Sequence, residues 1–376
     1  MAEIKFKDAS LPTEQVGVDW EELKDNQAIL DQPQWTRYQR ATLTFCRDWL
    51  TGETQFTVNT SGTTGPPKAI ILTRKQMHWS AQQTVKLLGL KKGYNALICL
   101  SVEHIAGKMM LVRCFDFNMN PTVIEPINNP MQELTADHTQ DFIAMVPMQL
   151  LPILHDEESL AKLNRFKAVL LGGAGLNAEI EEKVQHLTVP IYHSYGMTET
   201  CSHIGLRLLN GPDRQTAMYP LPEVELKQDE RGCLMIKAPS SADIWLTTND
   251  IVEFYPDGSF NLIGRADNII NSGGVKIQLE KIERAANEVL NEMGLYTSVL
   301  CTGQQDMVLG ERLVLILETT KWEKAKTDQL LKKLKAKLTR YEVPKHVLLV
   351  EEFAYSPTGK PDRDKTLKKA VASIIS

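Results

Sequence analysis

Residues 168–193 read AVLLGGAGLNAEIEEKVQHLTVPIYH. The apolar run Ala168-Val169-Leu170-Leu171 has the length of a buried strand and stops at Gly172-Gly173. A helical pattern follows over 178–186, and Ile191-Tyr192-His193 is a second strand. Strand, helix and strand in so short a span make the repeating unit of an α/β protein with a largely parallel sheet. The same alternation extends toward the N-terminus, with strands expected at 69–72, 96–100 and 142–146 and a helix over 73–88.

From Val224 onward the texture changes to short strands with turn signals. Glu230-Arg231-Gly232 is one turn, and Tyr255-Pro256-Asp257-Gly258 is a reverse turn between strands at 251–254 and 260–263. This stretch reads as an antiparallel subdomain. Beyond it the pattern predicts a helix over 279–290, strands at 298–301 and 312–317, a helix over 327–338 and a strand at 346–350. Leu330, Leu331, Leu334 and Leu338 form a stripe on the later helix. The expected fold class is therefore α/β: a large N-terminal domain with mostly parallel sheets and an antiparallel subdomain, then a small α+β C-terminal domain. The boundary is placed at 265–268, dividing residues 1–266 from residues 267–376.

Composition narrows the function. The chain has 376 residues, room for two domains or three, with 43% hydrophobic and 24% charged residues, as in ordinary globular domains. Its 42 Lys and Arg against 47 Asp and Glu leave a net charge of −5, so no basic field exists to collect nucleic acid. Cys46, Cys99, Cys114, Cys201, Cys233 and Cys301 are scattered singly without a C-x-x-C, which reads as reduced, packing cysteines. The charged and apolar alternation of MAEIKFKDAS is no signal peptide, and the most apolar stretch, 142–154, contains Pro147, Gln149 and Pro152 and is too short to span a bilayer. A cytoplasmic location without membrane insertion is expected.

The densest chemistry lies in Thr60-Ser61-Gly62-Thr63-Thr64-Gly65-Pro66-Pro67-Lys68, between Val58 and the strand at 69–72. Hydroxyls donate, glycines let backbone N–H groups approach, and lysine supplies charge, which is what phosphate oxygens require. The spacing is not that of a Walker A loop, and the alternative is an ordinary Gly/Pro surface loop. Gly173-Ala174-Gly175-Leu176-Asn177-Ala178 matches G-x-G-x-x-A, but the strand at 191–193 ends without the ribose-binding acid of a dinucleotide fold. No histidine pairs with cysteine at zinc-ligand spacing.

This loop resembles the pyrophosphate-binding motif of the adenylate-forming acyl-CoA synthetases. Further matches follow in order: Tyr195-Gly196-Met197-Thr198-Glu199-Thr200, Thr247-Thr248-Asn249-Asp250, Gly264-Arg265-Ala266-Asp267, Ser272-Gly273-Gly274-Val275-Lys276-Ile277 and Ser356-Pro357-Thr358-Gly359-Lys360. Six motifs from about Val58 to Lys365 leave coincidence no room. The resemblance implies ATP, Mg²⁺ and coenzyme A as ligands. It assigns Thr60, Ser61, Gly62, Thr63, Thr64, Gly65 and Lys68 to the phosphates, Glu199 to Mg²⁺, Thr198 to the α-phosphate, and Tyr195 with Gly196 to adenine. Gly172, Gly173 and Ala174 edge the nucleotide and acyl pockets. Asp250 accepts the ribose hydroxyls, with Arg265 beside it; the family usually has Gly where this chain has Asn249. Asp267 is the hinge about which a mobile small domain turns, and Gly273-Gly274 line the pantetheine tunnel. Lys360, in the small domain, is the catalytic lysine of adenylation; otherwise it is a solvated lysine.

The implied reaction joins a small carboxylic acid to coenzyme A through an acyl-adenylate. In the acyl pocket the relevant segment is 101–108, where no α-amine site is evident. His104 as a catalytic and substrate residue, with Gly107 and Lys108, suits an aromatic acid bearing a second carboxylate, although a pocket-wall His and a surface Lys read equally well. The short N-terminal region resembles the o-succinylbenzoate–CoA ligases of menaquinone biosynthesis. Other aryl- or fatty-acid–CoA ligases and a non-catalytic nucleotide-binding homologue are the alternatives. A homodimer is left open.

Overall fold

The computed structural model describes residues 2–8, 11–59, 68–356 and 361–375. The chain divides into two compact units, the first comprising 1–176, 180–225 and 236–246, the second 177–179, 226–235 and 247–376.

The first unit is built on a nine-stranded sheet. Its order is Tyr219–Pro220, His203–Leu208, Ile191–Gly196, Ala168–Leu171, Phe142–Met145, Asn95–Ile98, Asn120–Val123, Glu3–Asp8 and Leu11–Asp19. The central pairs are parallel. The edge pairs are antiparallel. Alternate residues of each central strand enter different cores. Ala96, Ile98, Phe142, Ala144, Ala168 and Leu170 face one cluster, and Leu97, Ile143, Met145, Val169 and Leu171 the other. Burial on both faces is why these strands read as continuous apolar runs rather than as alternation.

Most expected elements of this unit occur with shifted ends. Helix Arg74–Leu87 starts at Thr73, whose side chain accepts from Gln76 N while Gln76 reaches back to Thr73 N, a capping box. The strand expected at 96–100 is Asn95–Ile98, the one expected at 191–193 runs on to Gly196, and the helix over 178–186 ends at Lys183 with a 3₁₀ turn over Val184–His186. The N-terminal hairpin Glu3–Asp8 with Leu11–Asp19 was not expected. Ile4 and Phe6 of its first strand are fully buried, but two apolar positions among charges are a weak strand signal.

The antiparallel pair Leu246–Phe254 and Phe260–Arg265, nearly all of it in the second unit, ends a four-stranded sheet of which Phe260–Arg265 is an edge strand. The turn between them is closed by Gly258 N donating to Tyr255 O at 3.0 Å. A five-stranded sheet follows, ordered Val275–Gln278, Ile269–Ser272, Gly310–Glu318, Val299–Asp306, with His346–Val350 parallel to Gly310–Glu318. Helices Leu279–Glu292 and Lys324–Lys337 cover one face, where Ile282, Ala286, Val289, Leu330 and Leu334 meet Leu313, Leu315 and Leu317. The division at 266/267 falls within this packed unit.

Leu97 is fully buried in a central strand. Leu97→Ala should cost about 2–5 kcal/mol, read as a thermal midpoint lowered by at least roughly 5 °C in differential scanning calorimetry.

Candidate functional site

In the first unit, the residues singled out by sequence follow the carboxyl ends of parallel strands, where open α/β sheets bind ligands. Gly172–Ala174 follow Ala168–Leu171, Tyr195–Glu199 complete and follow Ile191–Gly196, and residues 101–108 follow Asn95–Ile98. The glycine loop is tied to the neighbouring strand. Ser194 Oγ donates to Leu171 O at 2.7 Å, and His193 Nε2 lies 3.2 Å from Ala174 O.

Glu199 sits half-buried in the 3₁₀ turn Thr198–Thr200. The turn is held from its far side. Thr200, fully buried, accepts Met197 N–H on its hydroxyl at 3.1 Å and donates to Ser202 O at 2.8 Å. The chain then reverses at Cys201, where φ is +61° and Ser202 N donates to Thr200 O at 2.7 Å. This is a γ-turn of the strained hand, rarely taken by a side-chain-bearing residue. Strand His203–Leu208 pairs back on Ile191–Gly196 so tightly that a Cβ on Gly196 would lie 2.6 Å from His203 Cα. The glycine of this motif is therefore required by backbone approach. The outcome is that Thr198 and Glu199 sit half-buried just past Tyr195 at the end of the strand.

In the second unit, Asp250 and Arg265 are direct cross-strand partners. Arg265 Nη1 donates to Asp250 Oδ1 at 2.9 Å, and its Nε and Nη2 clamp Asp267 at 2.8 and 2.7 Å. The hydrogen bond from Arg265 holds the Asp267 carboxyl below the usual range. Asn249, the departure from the family pattern, accepts from Arg231 Nη1 at 3.1 Å and donates to Asp267 at 3.4 Å. A glycine there could do neither. Gly273 and Gly274, at φ +60° and +83°, form the two-residue turn of the hairpin Ile269–Ser272 with Val275–Gln278. That turn needs positive φ at both positions, so its geometry alone accounts for the pair.

His104 precedes helix Ile105–Phe117 and makes no side-chain cap. Lys108 lies with Nζ 4.8 Å from the centre of the Phe45 ring, and burial lowers its pKa. Lys68 is exposed at the entry to strand Ala69–Thr73. Thr60, Ser61, Gly62, Thr63, Thr64, Gly65 and Lys360 lie outside the described residues.

Two residues escaped the sequence reading. Arg113, on helix Ile105–Phe117, is 1% exposed, and burial pulls its pKa down to about 10. Its Nη2 donates to Ser202 Oγ at 3.1 Å, its Nε has no partner, and among the described residues no carboxylate pairs with it. Ser202 Oγ also meets His203 Nδ1 at 3.2 Å, and His203 Nε2 meets Thr84 Oγ1 at 3.3 Å. The available signal was a lone arginine in the apolar stretch Met109-Met110-Leu111-Val112-Arg113-Cys114. The second is His193, 7% exposed, which holds Ala174 with one ring nitrogen while the other has no partner.

Among the described residues no cluster of three or more His, Cys, Asp or Glu could cage a metal ion. A single half-buried carboxylate, Glu199, fits instead a magnesium ion that takes its remaining oxygens from phosphates and water. No helix among the described residues is long and apolar enough to cross a membrane.

Comparison with known proteins supplies the family. The model of the AMP-binding enzymes matches residues 21–243, more than half of the chain. A crystal structure of an acyl-CoA synthetase (AMP-forming)/AMP-acid ligase II-like protein from Dyadobacter fermentans is 39% identical. The match covers 94% of this chain and 99% of that one, with a TM-score of 0.61. The 2-succinylbenzoate–CoA ligase of Staphylococcus aureus strain Newman is 28% identical over 333 residues, 81% of this chain and 65% of the relative. The chain thus spans about two thirds of the length of the curated relatives it matches. The o-succinylbenzoate–CoA synthetase of Bacillus subtilis, solved with ATP and magnesium, shares the fold at 24% identity and a TM-score of 0.64, covering 83% of this chain and 69% of that one.

Burial depresses His193 to a pKa of about 4 and His203 to about 3, from an ordinary 6.5. Both are neutral when folded, so their contribution is complete above pH 6.5 and is lost as pH falls toward 4, where the unfolded chain takes up protons the folded one refuses. Melting temperature should therefore drop across pH 6.5 to 4. His193→Gln, which keeps a donor for Ala174 O, should flatten that drop by up to about 3 kcal/mol, as followed by calorimetry across the pH range.

Proposed function

Because the chain belongs to the AMP-binding enzyme family, we propose that it is an ATP-dependent carboxylate–CoA ligase whose acid carries a second carboxylate, with o-succinylbenzoate the best fit. In the first half-reaction a substrate carboxylate oxygen attacks the α-phosphorus of ATP, and the bond to pyrophosphate breaks. In the second, the coenzyme A thiol loses its proton and attacks the acyl carbon, releasing AMP.

The observation that carries this reading is the Glu199 turn, a half-buried carboxylate and hydroxyl placed just past the end of a parallel strand by a strained backbone. Magnesium bound with the nucleotide supplies positive charge against the phosphate oxygens. Glu199 orients that charge, and the Thr198 hydroxyl donates to the α-phosphate. Asp250, steadied by Arg265, accepts from ribose hydroxyls, which suits a carboxylate beside an otherwise anionic ligand. The hydroxyl-rich segment 60–68 receives the other phosphates, and Lys360 neutralises charge at the forming acyl–phosphate bond. Residues 267–376 turn about Asp267 between the half-reactions, bringing Gly273-Gly274 to the thiol arm.

For the second carboxylate, Arg113 joins His104 and Lys108 as a candidate partner. A fully buried guanidinium without an acid is costly unless an anion reaches it. The S. aureus relative's name supports the same substrate class. Six free, buried cysteines fit a reducing compartment, and we place the enzyme in the cytoplasm.

The deciding experiment is pyrophosphate release over a panel of carboxylic acids, with and without coenzyme A. Removing the aliphatic carboxylate of o-succinylbenzoate should lower kcat/KM by at least about 10²-fold, because a buried cation is left unpaired. Equal turnover of plain benzoate would rule that substrate out. Lys360→Ala should slow adenylation on the order of 10²–10³-fold while thioester formation from synthetic acyl-AMP stays near wild type. Equal damage to both halves in a folded variant would remove Lys360 from the chemistry.

A further inference from the structure

Strand Phe260–Arg265 precedes Asp267 and helix Leu279–Glu292 follows it, yet the two are bonded across that residue. Gln278 Nε2 donates to the Arg265 carbonyl at 3.0 Å, and Arg284 Nη2 donates to the Ile263 carbonyl at 3.2 Å. Gln278 also donates to one oxygen of Glu280, whose other oxygen accepts the Asn268 amide. The approach is close. A Cβ on Gly264 would lie 2.8 Å from Glu280 Oε2, so the Gln278 and Glu280 side chains at the start of the helix rest directly against the strand.

Each partner is firmly held on its own side. Behind the helix, Arg363 pairs with Glu280 and Glu283, and Glu283 accepts Cys301 N–H at 2.7 Å, so the helix moves with the sheet strand Val299–Asp306. On the strand side, the Arg265 side chain is fixed to Asp250 and Asp267. The strand and the helix therefore meet through a few single hydrogen bonds. A net hydrogen bond of ordinary strength biases a two-state equilibrium about fivefold. That is enough to favour one state and weak enough to release.

We propose that Gln278 and Arg284 are positioning residues that latch helix Leu279–Glu292 to the carbonyls of Ile263 and Arg265 across Asp267, and that this latch sets the balance between the two half-reactions. The proposal rests on the ligase reading for its kinetic consequence. Losing a latch moves population from one state to the other, so the half-reactions change relative to each other. A general structural defect lowers both together.

The test uses the full chain as Gln278→Met, Arg284→Leu and the double variant. Adenylation is read as pyrophosphate release from acid and ATP, and thioester formation is read separately from synthetic acyl-AMP and coenzyme A. The ratio of the two rates should shift about fivefold in each single variant and further, in the same direction, in the double. Limited trypsin digestion supplies a readout independent of activity. Cleavage between Arg265 and Ala266 should quicken by a similar factor while the melting midpoint stays unchanged, because the bond is cut only when the segment opens. Both readouts must move; an unchanged ratio or an unchanged cleavage rate overturns the latch. Should wild type catalyse neither half-reaction with any acid, the ligase reading falls, and the cleavage rates alone still decide whether the latch exists.

Discussion

The buried hydroxyl of Thr200 closes the turn on which the first unit's site depends. It joins Met197 to Ser202, so the chain reverses within a few residues while Glu199 stays at the rim. The strained γ-turn at Cys201 costs on the order of 1–3 kcal/mol. Burial on every side offsets it. Thr200 and Cys201 are fully buried, Cys201 Sγ reaches Ser240 O at 3.7 Å, and Arg113 holds Ser202. The same reversal begins the antiparallel edge of the sheet, because His203–Leu208 pairs back along Ile191–Gly196. Fold and candidate site thus share one constraint: the chain must turn sharply at the carboxyl end of a parallel strand while Glu199 stays half-buried.

A different device serves the second unit. Asp250 and Asp267 are two acids that share one arginine. Arg265 pairs with both, so the two carboxylates are fixed in direction. Asn249 completes the set by bridging Arg231 to Asp267. Bidentate pairing matters here because it fixes direction as well as charge. A lysine at 265 would supply the charge without the orientation.

Histidines and arginine buried around the first site add a third element. His193, His203 and Arg113 are all more than nine-tenths buried, and burial displaces the pKa of each toward its neutral form. Neutral His193 serves as a fixed donor to the Ala174 carbonyl, where a charged imidazolium would be costly. Arg113 differs, since a guanidinium cannot be neutral near pH 7. Among the described residues no acid pairs with it.

The α/β class was legible in sequence because strands buried on both faces must be apolar throughout, as residues 168–171 and 142–145 are. The start of helix Arg74–Leu87 is set by Thr73 and Gln76, whose capping chemistry is local. Gly196, Asp250 and Arg265 stood out as candidate site residues because their motifs are contiguous. Other features depend on contacts between residues distant in sequence. The N-terminal hairpin gains its strand from pairing with Asn120–Val123, and no local signal reports such a neighbour. Arg113 reads as one arginine in an apolar helix until Ser202, 89 residues later, meets it. Asn249 looked like a mild departure until Asp267 and Arg231 came within reach. Motif residues announce themselves through local chain geometry and reactive groups, whereas burial, charge pairing and the cross-chain bonds of Gln278 and Arg284 exist only after the chain has folded back on itself.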